Sequence, residues 1–181
     1  MRLICSNRRR ISSTGRARQS RGIFSTRRTW READSATTYD FEVSAVRGPL
    51  WLSSEFVRTD VRSPSVGDPS FSGYHVTAAW TVTGEARSYN RRGGVVHRYP
   101  IAKPVNQGGW GAWELGARWS HLDLTDGAIE GGEMDILTLG FNWWLTPVFL
   151  VNANYKHISL DRFGIEGTAN GILARVVLML E

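Results

Sequence analysis

Leu137-Thr138-Leu139-Gly140-Phe141-Asn142-Trp143-Trp144-Leu145-Thr146 decides how this chain folds. Leu137, Leu139, Phe141, Trp143 and Leu145 share one side of a period-two ribbon, and Thr138, Gly140, Asn142 and Thr146 share the other. Strict alternation marks a β-strand with one apolar face, because successive side chains of a strand point in opposite directions. Met134, Ile136 and Trp144 interrupt the polar side. The same rhythm continues on both flanks. Downstream, Phe149, Val151, Ala153 and Tyr155 alternate with Leu150, Asn152, Asn154 and Lys156. Upstream, Trp113, Leu115, Ala117 and Trp119 alternate with Glu114, Gly116, Arg118 and Ser120. Tyr74, Val76, Ala78, Trp80 and Val82 repeat the pattern, as do Tyr39, Phe41, Val43 and Ala45. Leu50, Leu52 and Phe56 stand opposite Ser53 and Glu55, and Ala174, Val176, Leu178 and Leu180 opposite Arg175. This gives seven candidate strands of an all-β, antiparallel sheet.

Turn residues separate these runs. Arg47-Gly48-Pro49 and Thr146-Pro147 read as short connections, and 61–71, 123–132 and 159–169 as longer polar loops. Short turns at one rim and longer loops at the other suit an outer-membrane barrel. The stretch 85–110 breaks that rule, being long and basic where a short turn is expected. No apolar run reaches the roughly 20 residues of a spanning helix, whereas a spanning strand needs only about 9–11. A soluble sandwich or lipocalin-like barrel also has one wet face. Two features favour the membrane. The strand spans run to about ten residues, against the usual five or six. Trp113, Trp119, Trp143, Phe149 and Tyr155 cluster on the apolar side near strand ends, as an interfacial girdle does. On this reading Glu42, Glu55, Glu114, Arg118, Asn142, Asn152, Asn154, Lys156 and Arg175 face a watery lumen. Arg118 and Lys156 have an alternative role there, pairing with Glu114 or another cross-strand acid. Arg87, Arg91, Arg92, Arg98 and Lys103 are candidates for attracting anions at a mouth.

The net charge of +5 conceals two unlike parts. Ten of the 22 Lys and Arg fall within residues 1–31, which hold no acid, and the other 12 face 17 Asp and Glu. The basic part has few aliphatic residues and no period, so it cannot bury enough surface to offset its ordering entropy. It reads as a nucleic-acid or anionic-lipid arm, or as a disordered, non-native start. It lacks the apolar stretch of about 7–15 residues that a secretory signal requires. A natural beginning upstream is therefore expected. Cys5 is the one cysteine, which excludes an internal disulfide.

Catalysis finds no constellation. The four His (75, 97, 121 and 157) are scattered, and neither H-E-x-x-H nor G-x-S-x-G is present. Glu130, Glu133 and Asp135 read as a solvated loop, with a bridging divalent cation as the sharper alternative. We expect no enzyme activity, no cofactor and no metal.

From about residue 34 onward the chain resembles the C-terminal portion of the phosphate-selective porin O and P family. The resemblance is carried by Val46-Arg47-Gly48-Pro49-Leu50, Arg58-Thr59-Asp60-Val61, Ser70-Phe71-Ser72-Gly73-Tyr74 and Thr83-Gly84-Glu85. Further along it is carried by Gly111-Ala112-Trp113-Glu114-Leu115, Ala117-Arg118-Trp119-Ser120, Gly131-Gly132-Glu133 and Leu137-Thr138-Leu139-Gly140. The resemblance implies a transmembrane β-barrel segment, about seven strands of a sixteen-stranded porin. It further implies a homotrimer in the outer membrane of a Gram-negative bacterium, in contact with lipid and passing small anions such as phosphate. The basic stretch at 85–110 resembles the family's as well. We read 1–33 as the disordered Arg/Ser-rich tail and 34–181 as the partial barrel. Nucleic acid is not expected as a partner. A soluble β-sheet domain with a nucleic-acid-binding arm, or a non-functional truncated gene product, are the alternatives. Leu180 stands where the family pattern has a terminal Phe, so inefficient insertion is expected.

Overall fold

The computed structural model describes residues 2–8, 33–86, 89–90, 95–96 and 101–179. Eight strands form one antiparallel sheet in the order β1-β2-β3-β4-β7-β8-β9-β10, and β5 (Tyr89–Asn90) pairs with β6 (Val95–Val96) separately. The strands are β1 Arg2–Arg8, β2 Ser35–Arg47, β3 Leu50–Arg62, β4 Ser70–Thr81, β7 Ala112–Asp126, β8 Ile129–Thr146, β9 Phe149–Arg162 and β10 Ile165–Leu178. Each neighbour along the chain pairs with the next, apart from the step from β4 to β7 over the intervening segment. All seven strands read from the period-two runs are present, and each is longer than its run.

The connections set two rims. At rim A lie the turn at Gly48-Pro49, the two ends of the connection from β4 to β7 and the turn at Pro147-Val148. At rim B lie residues 63–69, with a short 3-10 turn at Pro64–Val66, and the turns at Gly127-Ala128 and Phe163-Gly164. The expectation of short turns at one rim and loops at the other is therefore corrected. Residues 123–132 and 159–169 are not loops, because β7–β8 and β9–β10 run through them to two-residue hairpins. Main-chain pairing continues there without an apolar period on the outer side. The connection from β4 to β7 does leave and rejoin the sheet at the rim otherwise served by tight turns.

Residues 2–8 also differ from expectation. They lie along the sheet edge, paired from Arg2↔Val46 to Arg8↔Asp40. Ladder hydrogen bonds to β2 form there whatever the side-chain pattern. The rest of the tail, 9–32, lies outside the described residues.

A type I′ hairpin turn places both central residues in the left-handed region, which glycine adopts freely and aromatic residues resist. Gly164 has φ 70° and Phe163 has φ 58°, so Phe163 carries the strain of that turn. Phe163→Asn is expected to stabilise the hairpin by about 0.5–1 kcal/mol, since Asn tolerates this region. Denaturant titration of the folded chain in vesicles measures this difference. A loss of stability would show that the stacking of Arg162 on the Phe163 ring, 4.9 Å from its centroid, outweighs the strain.

Little is buried. Among the described residues, the hydrophobic side chains withdrawn from solvent are Val61, Ala79, Ala112 and Leu150. A domain normally hides its apolar face against a second layer. Here that layer is missing, and Trp80, Leu115, Leu139, Ile172 and Val176 stand in the open on a single sheet.

Candidate membrane surface and pore wall

Register places every apolar run on the same side of the sheet. One row joins Ala45, Leu52, Ala78, Ala117, Leu139, Tyr155 and Ile172 across neighbouring strands. The next row toward rim A joins Leu50, Trp80, Leu115, Phe141, Ala153 and Ala174. Toward rim B this outer face turns polar, along a line that is not perpendicular to the strands. Its last apolar residues are Tyr39 on β2, the paired Phe56 and Tyr74 on β3 and β4, Trp119 and Leu137 on β7 and β8, and Tyr155 and Ile172 on β9 and β10. The line moves toward rim A by about one residue per strand, which at ordinary rise and spacing is a slant of about 35°. Strands of outer-membrane barrels tilt by about that much, so the line lies parallel to a membrane plane. On β8 the band runs from Leu137 to Leu145, about 26 Å along the strand and about 22 Å along the membrane normal.

Aromatic belts edge the band. At rim A, Trp113 packs on Trp143 with centroids 5.8 Å apart and meets Phe141 edge-on at 5.5 Å. Both indoles donate to one oxygen, the Trp110 carbonyl, at 3.0 Å from Trp113 and 2.8 Å from Trp143. At the opposite edge, Tyr74 meets Trp119 edge-on at 5.4 Å. Trp119 Nε1 donates to Asp135 Oδ1 at 3.0 Å, and the Tyr155 hydroxyl donates to Asn170 Oδ1 at 2.8 Å. Trp113, Trp143, Trp119 and Tyr155 thus keep their bodies on the apolar side and their polar tips bonded, as an interface between oil and water requires. Trp110, absent from the sequence reading, sits in no period-two run and could be found only by its carbonyl.

The opposite face carries all nine wall candidates. Glu42 stands directly across from Glu55, and His75 Nδ1 lies 3.7 Å from Glu55 Oε2. Two facing carboxylates repel unless water screens them, which suits a wet wall. Arg118 and Lys156 flank Thr138 in one row, and Arg118 Nε donates to Ser120 Oγ at 3.1 Å. Neither cation lies within ion-pairing distance of a carboxylate among the described residues, so the cross-strand pairing alternative is not what the geometry shows. Glu114 instead ends a chain of amides. Asn142 Nδ2 donates to Glu114 Oε1 at 2.7 Å, Asn152 Nδ2 to Asn142 Oδ1 at 2.5 Å, and Asn154 Nδ2 to Asn152 Oδ1 at 2.6 Å. Glu114 and Asn152 are both buried. Arg175 extends the row beyond Asn152, in the open at the edge strand.

Lys103 is placed at rim A, where its carbonyl accepts from Gly111 N. Arg87, Arg91, Arg92 and Arg98 lie outside the described residues. Glu130, Glu133 and Asp135 are not in a loop but on β8, and Asp135 is already engaged by Trp119 and His121. No group of three or more possible metal ligands gathers among the described residues.

Toward rim B the two faces exchange character. The outer side there carries His121, Asp123, Glu133, Asp135, His157, Asp161 and Glu166. The inner side carries Val57, Leu122, Met134, Ile136, Ile158 and Leu160, in one register with Glu55 and Gly73. Met134 and Ile136, which interrupt the polar side of the quoted stretch, belong to this exchanged zone.

A single antiparallel sheet with a slanted apolar band, aromatic edges and a polar reverse face defines a transmembrane β-barrel segment. The model of the phosphate-selective porin O and P family matches residues 8–164, and the chain belongs to that family. An uncharacterized protein of Caulobacter vibrioides is 36% identical over 103 residues, covering 57% of this chain and 20% of that protein. Porin O of Pseudomonas aeruginosa is 24% identical over 137 residues, covering 70% of this chain and 30% of that protein. The chain thus spans less than a third of the length of these curated relatives.

Proposed function

We propose that this chain forms part of the wall of a water-filled outer-membrane channel through which small anions such as phosphate diffuse passively. Membership of the family and the relation to a protein named Porin O support this reading. The observation that carries it is the division of one sheet into a continuous apolar band and a reverse face holding Arg118, Lys156 and Arg175. Water beside that wall conducts ions, and fixed cations raise the local concentration of anions. No bond is made or broken, so the residues act through charge and shape alone.

Edges exposed in lipid leave main-chain groups unsatisfied at several kcal/mol each. The remaining wall therefore comes from further strands, in a homotrimer within the outer membrane of a Gram-negative bacterium, surrounded by its lipid. The chain is then a fragment of the barrel. Residues 2–8 add an edge strand beside β2.

Reconstitution in planar bilayers under a salt gradient, with the chain joined to the further strands that close the wall, tests the channel. Anion-preferring conductance steps are expected. The double substitution Arg118→Gln with Lys156→Gln is expected to move the reversal potential toward cation preference by about 5–15 mV, in proportion to the fixed charge lost. An unchanged reversal potential removes these two residues from the ion path. Recovery as a water-soluble monomer without detergent, its tryptophans shielded from iodide, would overturn the membrane reading altogether.

A further inference from the structure

The exchanged zone encloses a cleft that a simple ion pathway does not need. Its volume is about 550 Å³, and it lies over β3, β4 and β7 on the inner face. Val57, Val61, Phe71, Leu122 and Leu124 line it together with the polar Glu55, His75, Ser120 and Arg118. Gly73 makes the floor. It sits in register between Val57 and Leu122, and a Cβ there would approach Leu122 Cδ1 at 3.2 Å. Any larger residue at 73 would fill the space between those two walls.

A purely aqueous wall has no reason to carry such a surface, since exposed apolar area costs free energy on the order of 25 cal/mol per Å². Small-molecule sites have this composition: mostly apolar walls, with a few polar groups converging at one end. The polar end favours an anion. Arg118 is exposed, without a carboxylate partner among the described residues, and its side chain is steadied by Ser120 Oγ. Glu55 also lines the cleft, but two strands over and two residues along from Arg118, about 12 Å at ordinary spacing and rise, and it faces His75.

We propose that the cleft binds small amphiphilic organic anions, with the anionic head at Arg118 and Ser120 and the apolar body between Val57 and Leu122 over Gly73. This rests on the reading that the inner face lines the water passage. It goes beyond inorganic phosphate, which has no apolar part for these walls to hold. Solutes of this class, such as aryl or short alkyl phosphates, would pause in the cleft before moving toward rim A.

The test measures binding without ion flow, so that it stands or falls apart from conductance. The full chain is refolded in deuterated detergent micelles, and its strand content is checked by circular dichroism. Saturation transfer to the ring protons of phenyl phosphate is titrated, with inorganic phosphate as competitor. Phenyl phosphate is expected to bind about ten-fold or more tightly than inorganic phosphate, the gain expected from burying one ring. Arg118→Gln is expected to weaken it by about ten-fold, the loss of one charge-assisted contact. Leu122→Trp is expected to abolish it by filling the cleft, and Gly73→Ala to weaken it should Leu122→Trp fail to fold. Arg47→Gln, at the rim A end of β2 and outside the cleft, is expected to leave binding unchanged. No saturation transfer to the wild-type chain overturns the proposal. So do equal affinities for the two phosphates, or an equal loss with Arg47→Gln.

Discussion

Ala78→Arg is expected to destabilise the bilayer-folded sheet by about 2–4 kcal/mol, the cost of an arginine at the lipid midplane. Ala78 lies midway between Tyr74 and Val82 on the apolar side, flanked by Leu52 and Ala117. Replacing an alanine forfeits almost no packing, so the change reports the transfer of charge into lipid. Glu42→Arg places the same residue on the other face, opposite Glu55. It removes a like-charge pair and creates an opposite one, so it is expected to be neutral or stabilising by up to about 0.5 kcal/mol. Urea titration in lipid vesicles, followed by tryptophan emission, measures both. Similar costs for the two substitutions would mean that the faces do not see different solvents, and the assignment of lipid and water would fail.

Asn142→Leu is expected to cost about 2–3 kcal/mol in the same assay, because it takes one donor from buried Glu114 and the short acceptor from buried Asn152. Glu114 loses the donor at 2.7 Å, and Asn152 Nδ2 loses the acceptor at 2.5 Å, retaining a weak contact to the Phe141 carbonyl at 3.4 Å. Both are almost fully withdrawn from solvent, at 2% and 4% exposure, so water cannot substitute. Asn154→Leu removes only the outermost donor of the chain and is expected to cost about 1 kcal/mol, a typical net hydrogen bond. Equal costs at the two positions would show that the amides act singly and not as a chain ending on Glu114.

Much of this was legible in the sequence because the bilayer imposes a strict rule. Between Leu137 and Leu145 every second residue must be apolar, and the eye finds the strand at once. Beyond the band that rule lapses. Over residues 123–132 and 159–169 the outward side chains are polar, and the ladder persists chiefly on main-chain bonds. Such segments look like loops in the sequence. The inward apolar residues Met134, Ile136 and Ile158 look like noise for a related reason: Met134 pairs with Leu122 and Leu160, and Ile136 with Ile158, on neighbouring strands. Only register brings them together. The cleft needed the structure for the same reason, as did the Trp110 carbonyl that two distant indoles share. The wall candidates Glu114, Asn142, Asn152 and Asn154 were found by alternation, but nothing in alternation says that they join.

The height of the apolar strip also bears on where such a sheet can reside. A strip of about 22 Å is shorter than the hydrocarbon core of an average bilayer, near 30 Å, by some 8 Å. Thickness mismatch is penalised by fractions of a kcal/mol per Å, and bacterial outer membranes are thinner than average. In a bilayer of average thickness the sheet would have to draw His121, Asp135 and His157 below the surface or pinch the lipid around itself. The short stature of the strip therefore favours a thin bilayer over a thick one.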